Sequence, residues 1–352
     1  MKILLVKLSS LGDVVHALPV VQDIRAALPD AQIDWVVEKS FAPVLALNPD
    51  LHRIIPCEIR RWSKSPLAAA TRQEWRVFRA ALQQDAYDAV IDLQGLTKSA
   101  VVSWQARLAP GGRRYALANQ TEGSGYEAPT RWVADVAIRI RPHIHAVQRS
   151  RELVARALGY TLPCSPDFGL NKPLAQPERT QAAPKRIANR IAFVHGTSRA
   201  DKEWPLAYWI ALGRRFNAAG YQIALPYGNA KEQVTSQKIA NALNDRELIN
   251  AIVWSLLPLD ALTRELAQCA GVVGVDSGVS HIAVALDLPH VQLYNFDTAW
   301  RTGPASAAGR QVSVFAQPAP GVNDVWQAWL GCIETRKTDP SGQPDQPGKS
   351  AA

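Results

Sequence analysis

No apolar run in these 352 residues approaches the roughly 18–20 that a membrane-spanning helix needs. The N-terminus lacks the charged segment, apolar core and small-residue cleavage site of a secretory leader, so a cytoplasmic address is expected. Cysteine is scarce and scattered. Cys57, Cys164, Cys269 and Cys332 form no Cys-x-x-Cys pair and have no histidine at metal-ligand spacing, which points to free thiols in a reducing compartment. Neither half contains a Gly-x-Gly-x-x-Gly fingerprint, and no Asp-x-Asp pair occurs. The first absence removes the ordinary dinucleotide loop. The second removes a common sequence sign of a bound divalent ion, so no metal and no cofactor are expected.

What is present is apolar bulk and positive charge. Apolar residues make up 47% of the chain, enough for large cores, and the length suits two domains. A net charge of +8 calls for an anionic partner, which nucleic acid, an anionic membrane surface or an anionic substrate would each supply. The eleven tryptophans are not interleaved with basic residues in a stacking pattern, so nucleic acid is not expected.

Strand and helix signals alternate along the first half. Strands are expected at 3–8, 33–37, 53–56 and 89–92, and helices at 13–28, 71–84, 98–108 and 148–158. Alternation at this pitch predicts a parallel sheet with crossover helices. A proline-rich break follows, with Pro163, Pro166, Pro173, Pro177 and Pro184 and little apolar periodicity. It reads as a linker over 166–188. The alternation then resumes, with strands at 190–194, 222–225, 252–253, 271–275 and 291–294 and helices at 206–219, 231–242, 259–269 and 279–286. A last helix is expected from Asn323, as N-cap, to about 333. It is assigned to 321–336 and expected to pack back on the first domain, and 337–352 reads as a disordered tail. The fold class is α/β: two Rossmann-like domains, 1–165 and 189–320, facing across a cleft.

Four strand-end turns carry the chemistry. The apolar strand at 3–8 runs into Ser9-Ser10-Leu11-Gly12-Asp13. Such a turn lies at the carboxyl end of a parallel sheet, where ligands bind. A phosphate loop wants glycines and a cation, whereas this one offers a single glycine and a carboxylate, which suits a proton or a hydroxyl. Burial beside Val14 and Val15 is expected to raise the Asp13 pKa toward a useful value. In the second half, Asp276-Ser277-Gly278 leads from an apolar strand into a helix beginning near Val279 and carrying His281. Capped by Asp276 or Ser277, that helix start is either an anion site, with Gly278 letting a ligand approach the backbone, or simply a well-capped helix with a buried histidine. Thr197, Ser198 and Lys202 follow another strand of the same predicted sheet. They suit a diphosphate, or form a solvated charged loop. Glu232, in the first turn of a helix, is either a ribose-hydroxyl acceptor or a helix N-terminal charge. Arg60-Arg61-Trp62-Ser63-Lys64 is a solvated basic face or a contact for anionic lipid or acceptor. The turn Asp92-Leu93-Gln94-Gly95 either lines the cleft or uses Asp92 as a structural hydrogen-bonding residue.

Taken together in this order, the turn at 8–19, Asp34-Trp35-Val36-Val37-Glu38, Ile59-Arg60-Arg61-Trp62, Asp92-Leu93-Gln94-Gly95-Leu96, Asp201-Lys202-Glu203-Trp204-Pro205 and Val275-Asp276-Ser277-Gly278-Val279-Ser280-His281 resemble glycosyltransferase family 9, the bacterial lipopolysaccharide heptosyltransferases. The resemblance runs from Lys2 to about Ile333. It implies a GT-B fold, with an N-terminal acceptor-binding domain and a C-terminal nucleotide-sugar-binding domain. It implies transfer of L-glycero-D-manno-heptose from ADP-heptose to the first Kdo of Kdo-lipid A, with inversion. Asp13 then matches the catalytic base. Thr197, Ser198, Lys202, Glu232, Asp276, Ser277, Gly278 and His281 match donor-binding positions, with Leu257 near adenine. Arg60, Arg61 and Lys64 match acceptor contacts, and Gln94 joins them as a lining residue. The family's acceptor loop has a Ser-Ala-Arg-Glu-like stretch where this chain has Ser124-Gly125-Tyr126-Glu127, so its basic residue is missing and Arg131 downstream is the expected substitute.

An inverting transfer needs one carboxylate to take the acceptor's proton and cations or helix dipoles to stabilise the departing diphosphate. Asp13 and Lys202 supply these in this reading, and domain closure excludes water. The anionic inner-membrane surface is the expected place of work, with the protein peripheral on its cytoplasmic side. Two rivals remain at this stage: a family 9 enzyme acting on a heptosylated core, and a two-domain solute-binding module, which should carry a secretory leader.

Overall fold

The structure, a computed structural model, describes residues 1–170, 187–245, 248–304 and 309–337. Most of the expected linker, including Pro173, Pro177 and Pro184, and the tail from 338 lie outside the described residues.

Six parallel strands form the first sheet: β1 (Lys2–Val6), β2 (Gln32–Glu38), β3 (Arg53–Cys57), β4 (Ala86–Asp92), β5 (Arg107–Leu117) and β6 (Val136–Ile138). Their order is β3-β2-β1-β4-β5-β6. The second sheet contains β7 (Ile187–Val194), β8 (Gln222–Leu225), β9 (Ala251–Val253), β10 (Cys269–Val275), β11 (His290–Tyr294) and β12 (Gln311–Phe315), ordered β12-β11-β10-β7-β8-β9. Counted within its own half, each sheet runs 3-2-1-4-5-6, the doubly wound order. In such a sheet the crevice opens where the strand order reverses, between strands 1 and 4. Here those points are β1/β4 and β7/β10.

Unbroken apolar runs make the central strands. Ile3, Leu4, Leu5 and Val6 are fully buried, as β1 must be with helices on both of its faces. One apolar cluster joins the halves, uniting Val14, Val15 and Leu18 with Ile282, Ala283 and Leu286. The helices Leu11–Ala17 and Gly278–Ala285 meet face to face there.

Several expectations change. The helix expected over 13–28 is two helices, Leu11–Ala17 and Pro19–Ala27, because Pro19 has no N–H to continue the first and instead opens the second. Strands β5, β6 and β12 were not expected. In β5 the run Pro110-Gly111-Gly112 hides the pattern, and the pairing with β4 shifts register between Tyr87 and Ala89. The helix predicted to reach 108 stops at Gln105, where β5 takes over. Asn323 does not cap the last helix, which runs Val322–Lys337; its side chain lies in the first turn and accepts from Arg215 Nη1 at 3.0 Å. That helix packs on the second sheet rather than back on the first, with Val325, Trp329 and Cys332 buried among second-half residues.

Candidate active site

β1 ends by delivering Lys7 and the turn after it into the first switch point. Ser10 precedes the helix Leu11–Ala17, and its backbone N–H and hydroxyl donate to Asp13 Oδ2 at 3.1 and 2.8 Å. These two bonds fix the carboxylate at the helix N-terminus, where the helix dipole favours it. Lys7 Nζ lies 3.6 Å from Asp13 Oδ1 and donates to the Leu93 carbonyl at 3.1 Å. Arg149 Nη2 stands 3.8 Å from the same Asp13 oxygen.

These cations reverse one expectation. Burial alone would raise the Asp13 carboxyl, but Lys7, the Ser10 hydroxyl, His16 and Arg149 outweigh it and hold the group well below the usual carboxylate range. The sequence shows Val14 and Val15 beside Asp13, but not the buried ammonium behind it. Lys7 itself is pulled down to about 8 by burial, against the attraction of Asp13.

The β4 turn braces this arrangement. Asp92 Oδ1 accepts from the Gln94 and Gly95 N–H groups, and Ser99 Oγ donates to Asp92 Oδ2. Asp92 is therefore the structural member of its two readings, and burial pushes its carboxyl up to about 6. Gln94 Oε1 accepts from the Leu8 and Ser9 N–H groups at 3.1 Å each, tying the two switch-point turns together instead of lining the cleft.

In the second half, Ser277 caps the helix Gly278–Ala285 by accepting from Ser280 N–H. Lys202 Nζ donates to Asp276 Oδ2, and His281 Nε2 lies 3.4 Å from Asp276 Oδ1. Burial would raise Asp276, yet His281 and Lys202 hold its carboxyl well below its ordinary value. The β7 and β10 turns thus converge, as their shared sheet predicts. Gly278 also serves packing: a β-carbon there would sit 2.8 Å from Leu11 Cβ of the first half, so its small size admits the opposing helix.

The two switch points face each other across a cleft of about 230 Å³. Asp13 lines it from one side, and Ser198, Lys202, Asp276, Ser277, Gly278 and His281 from the other. Several further lining residues have no place in the sequence reading, among them His16, whose ring lies 4.1 Å from that of His281, and Glu122, Arg149 and Arg301. The rim is bridged where His143 stacks on Trp300 at 3.7 Å and Arg301 Nη1 donates to the Gly123 carbonyl.

The remaining predicted residues lie outside the cleft lining. Thr197 Oγ1 accepts from the Arg199 N–H. Glu232 accepts from Gly228 N–H and Asn229 Nδ2 at 2.7 Å each and abuts Gly196, where a β-carbon would lie 2.5 Å from its carboxyl carbon. Leu257 is half-buried against the central apolar cluster. Arg61 is engaged by Glu58 and Glu74, whereas Arg60, Lys64 and Arg131 are exposed. Among the described residues, no group of three or more His, Cys, Asp or Glu side chains is placed to hold a metal, and no helix is long and apolar enough to cross a membrane.

Comparison with known proteins gives the family. The model of glycosyltransferase family 9 (heptosyltransferase) matches residues 75–326. The chain is 38% identical over 301 residues to lipopolysaccharide heptosyltransferase 1 of Pseudomonas aeruginosa, covering 84% of this chain and 78% of that protein. It is 34% identical over 339 residues to lipopolysaccharide heptosyltransferase 1 of Escherichia coli O18:K1:H7, covering 95% and 96%. Among solved structures, the E. coli heptosyltransferase WaaC with ADP matches at a TM-score of 0.79 and 32% identity, over 93% of this chain and 98% of that one. Two doubly wound sheets about one cleft make the fold GT-B, and the chain is an enzyme that belongs to glycosyltransferase family 9.

Proposed function

We propose that this enzyme moves L-glycero-D-manno-heptose from ADP-heptose to the first Kdo of Kdo-lipid A, with inversion at the anomeric carbon. Heptose transfer in the lipopolysaccharide inner core follows from its family and from relatives named heptosyltransferase 1. ADP and an ADP-heptose analogue are the ligands of the matching WaaC structures, which supports an ADP-heptose donor here. One observation carries the mechanism: Asp13 stands on one wall of the cleft and the Lys202–Asp276 pair on the other.

In this reading Asp13 takes the proton as the acceptor hydroxyl attacks the anomeric carbon, and the bond to the diphosphate breaks with its electron pair leaving on ADP. Lys202, freed from Asp276, offsets the charge of the leaving group, helped by Ser198 and the N-terminal N–H groups of the helix Gly278–Ala285. Thr197, Glu232 and Leu257 are assigned to the nucleoside end. Glu232 stands at the end of the β7–β8 pair, where a carboxylate meets ribose hydroxyls. The present cleft is smaller than the roughly 300–1,000 Å³ of ligand sites. The halves therefore part to admit the donor and close for the transfer. Exposed Arg60, Lys64 and Arg131 offer cations to acceptor phosphates or to the anionic headgroups around them, which supports work at the cytoplasmic face of the inner membrane.

The test is ADP release by the purified enzyme, with ADP-heptose and either Kdo-lipid A or an already heptosylated core as acceptor. Turnover is expected with the first. Turnover confined to the second would replace this acceptor with the later one.

A further inference from the structure

Arg149 is a buried cation with donors to spare. It is 8% exposed, on the helix Ala146–Leu158. Nη1 donates to Thr121 Oγ1 at 3.2 Å, and Nε has no partner. Its approach of 3.8 Å to Asp13 is too long for a hydrogen bond. The neighbouring cations of the cleft are differently placed: Lys202 is bonded to Asp276, and Arg301 reaches the Gly123 carbonyl. A guanidinium presents a planar fork that matches a carboxylate through two parallel hydrogen bonds. Desolvated and thinly bonded, Arg149 gains most from such a ligand.

We propose that Arg149 receives the carboxylate of the acceptor sugar, and that this engagement offsets one of the cations facing Asp13, the group that takes the acceptor's proton. The inference rests on the acceptor assigned above, since Kdo is an ulosonic acid whose carboxylate and hydroxyls share one ring. Asp13 is faced by Lys7 just after β1, His16 from its own helix and Arg149 from the helix Ala146–Leu158, with His281, Asp276 and Lys202 across the cleft. Arg149 is faced in turn by Asp13, Glu122 and Arg301. The Glu122 carboxylate is engaged by His143 Nδ1 at 2.9 Å. An incoming carboxylate offsets the Arg149 charge at Asp13, where Lys7 is the main counter-ion throughout, and so strengthens the base modestly when the acceptor is in place.

The experiment compares wild type with Arg149→Gln and Arg149→Lys on Kdo-lipid A and on the same acceptor with its Kdo carboxylate methyl-esterified. ADP binding is measured by calorimetry as the control for folding and donor-site integrity. The Arg149→Gln acceptor KM should rise roughly tenfold or more, the scale of one charge-assisted contact, with ADP affinity within about twofold of wild type. Arg149→Lys should recover part of the loss. Wild type should prefer the free acid strongly, and Arg149→Gln should treat acid and ester alike. In wild type the acid limb of kcat should lie at higher pH than that of kcat/KM, and in Arg149→Gln the two limbs should draw together. An Arg149→Gln enzyme with wild-type acceptor KM, or a wild type indifferent to the ester, would overturn this inference alone. Absence of wild-type turnover on Kdo-lipid A would overturn the acceptor assignment and this inference with it.

Discussion

Gly12 and His281 close the cleft from opposite halves: a β-carbon on Gly12 would stand 2.8 Å from His281 Cδ2. Gly12 lies in a helix, where alanine is better tolerated by about 1 kcal/mol. Gly12→Ala should therefore keep its own helix while holding the halves apart. Turnover is expected to fall roughly tenfold, because a small misplacement of reacting groups is enough for that. Steady-state ADP release measures the loss, and small-angle scattering the expansion. Wild-type turnover would mean that His281 yields without consequence.

Asp13→Asn keeps the shape of the residue but cannot take a proton. Removing a general base costs roughly 10²- to 10⁴-fold in rate. Transfer should fall by that much, while calorimetric affinity for ADP changes little, because the ion-pair partners of Asp13 are Lys7 and Arg149, not Lys202 across the cleft. A variant retaining most of its turnover would remove Asp13 from the role of base.

Lys202→Ala should weaken donor binding and slow turnover together, since the ammonium is assigned to the diphosphate both before and during its departure. It also removes one of the two ion-pair partners of Asp276, leaving His281 at 3.4 Å from its carboxylate. Unchanged kinetics in a titration of ADP-heptose would exclude Lys202 from the site.

Asp92 supplies a pH test of stability. Its carboxyl is raised from an ordinary 3.8 to about 6 in the folded chain. The folded state therefore binds the proton more tightly than the unfolded one, and between these values stability falls as pH rises. Above about pH 6 the buried charge costs on the order of 2–3 kcal/mol. Asp92→Asn removes that cost while keeping an oxygen for the Gln94 and Gly95 N–H groups. Its melting temperature should exceed that of wild type at pH 8, with the gap closing toward pH 4. A gap that widens on acidification would contradict the assignment.

The legible parts of this enzyme were those in which one short segment contains its own argument. Asp13 stands out because a carboxylate at the end of an apolar strand fits no phosphate loop, and Asp276, Ser277 and His281 because strand, cap and helix follow in a line. Arg149 was illegible for the opposite reason. Arg149, Arg151 and Arg156 look alike in one helix, and only packing sends Arg151 to Asp23, Arg156 to Glu152 and Arg149 into the cleft. Lys7 did leave a trace, as a lone charge in a run otherwise fit for burial on both faces. The acceptor cluster divides in the same way: the sequence shows three neighbouring cations, but not that Glu58 and Glu74 already hold Arg61. The long β5 strand is hidden by Pro110-Gly111-Gly112 within it, whereas β6 and β12 are edge strands, which need no continuous apolar run.

The stack of His143 on Trp300 joins the two halves at the rim, with one ring from each. An indole in contact with an imidazole changes its emission when the contact breaks. Trp300 is thus a built-in optical reporter of cleft opening, with its signal isolated from the rest of the eleven tryptophans by subtraction of a Trp300→Phe variant. Mixing the enzyme with ADP-heptose in a stopped-flow fluorimeter would time the parting and rejoining of the halves without any added label.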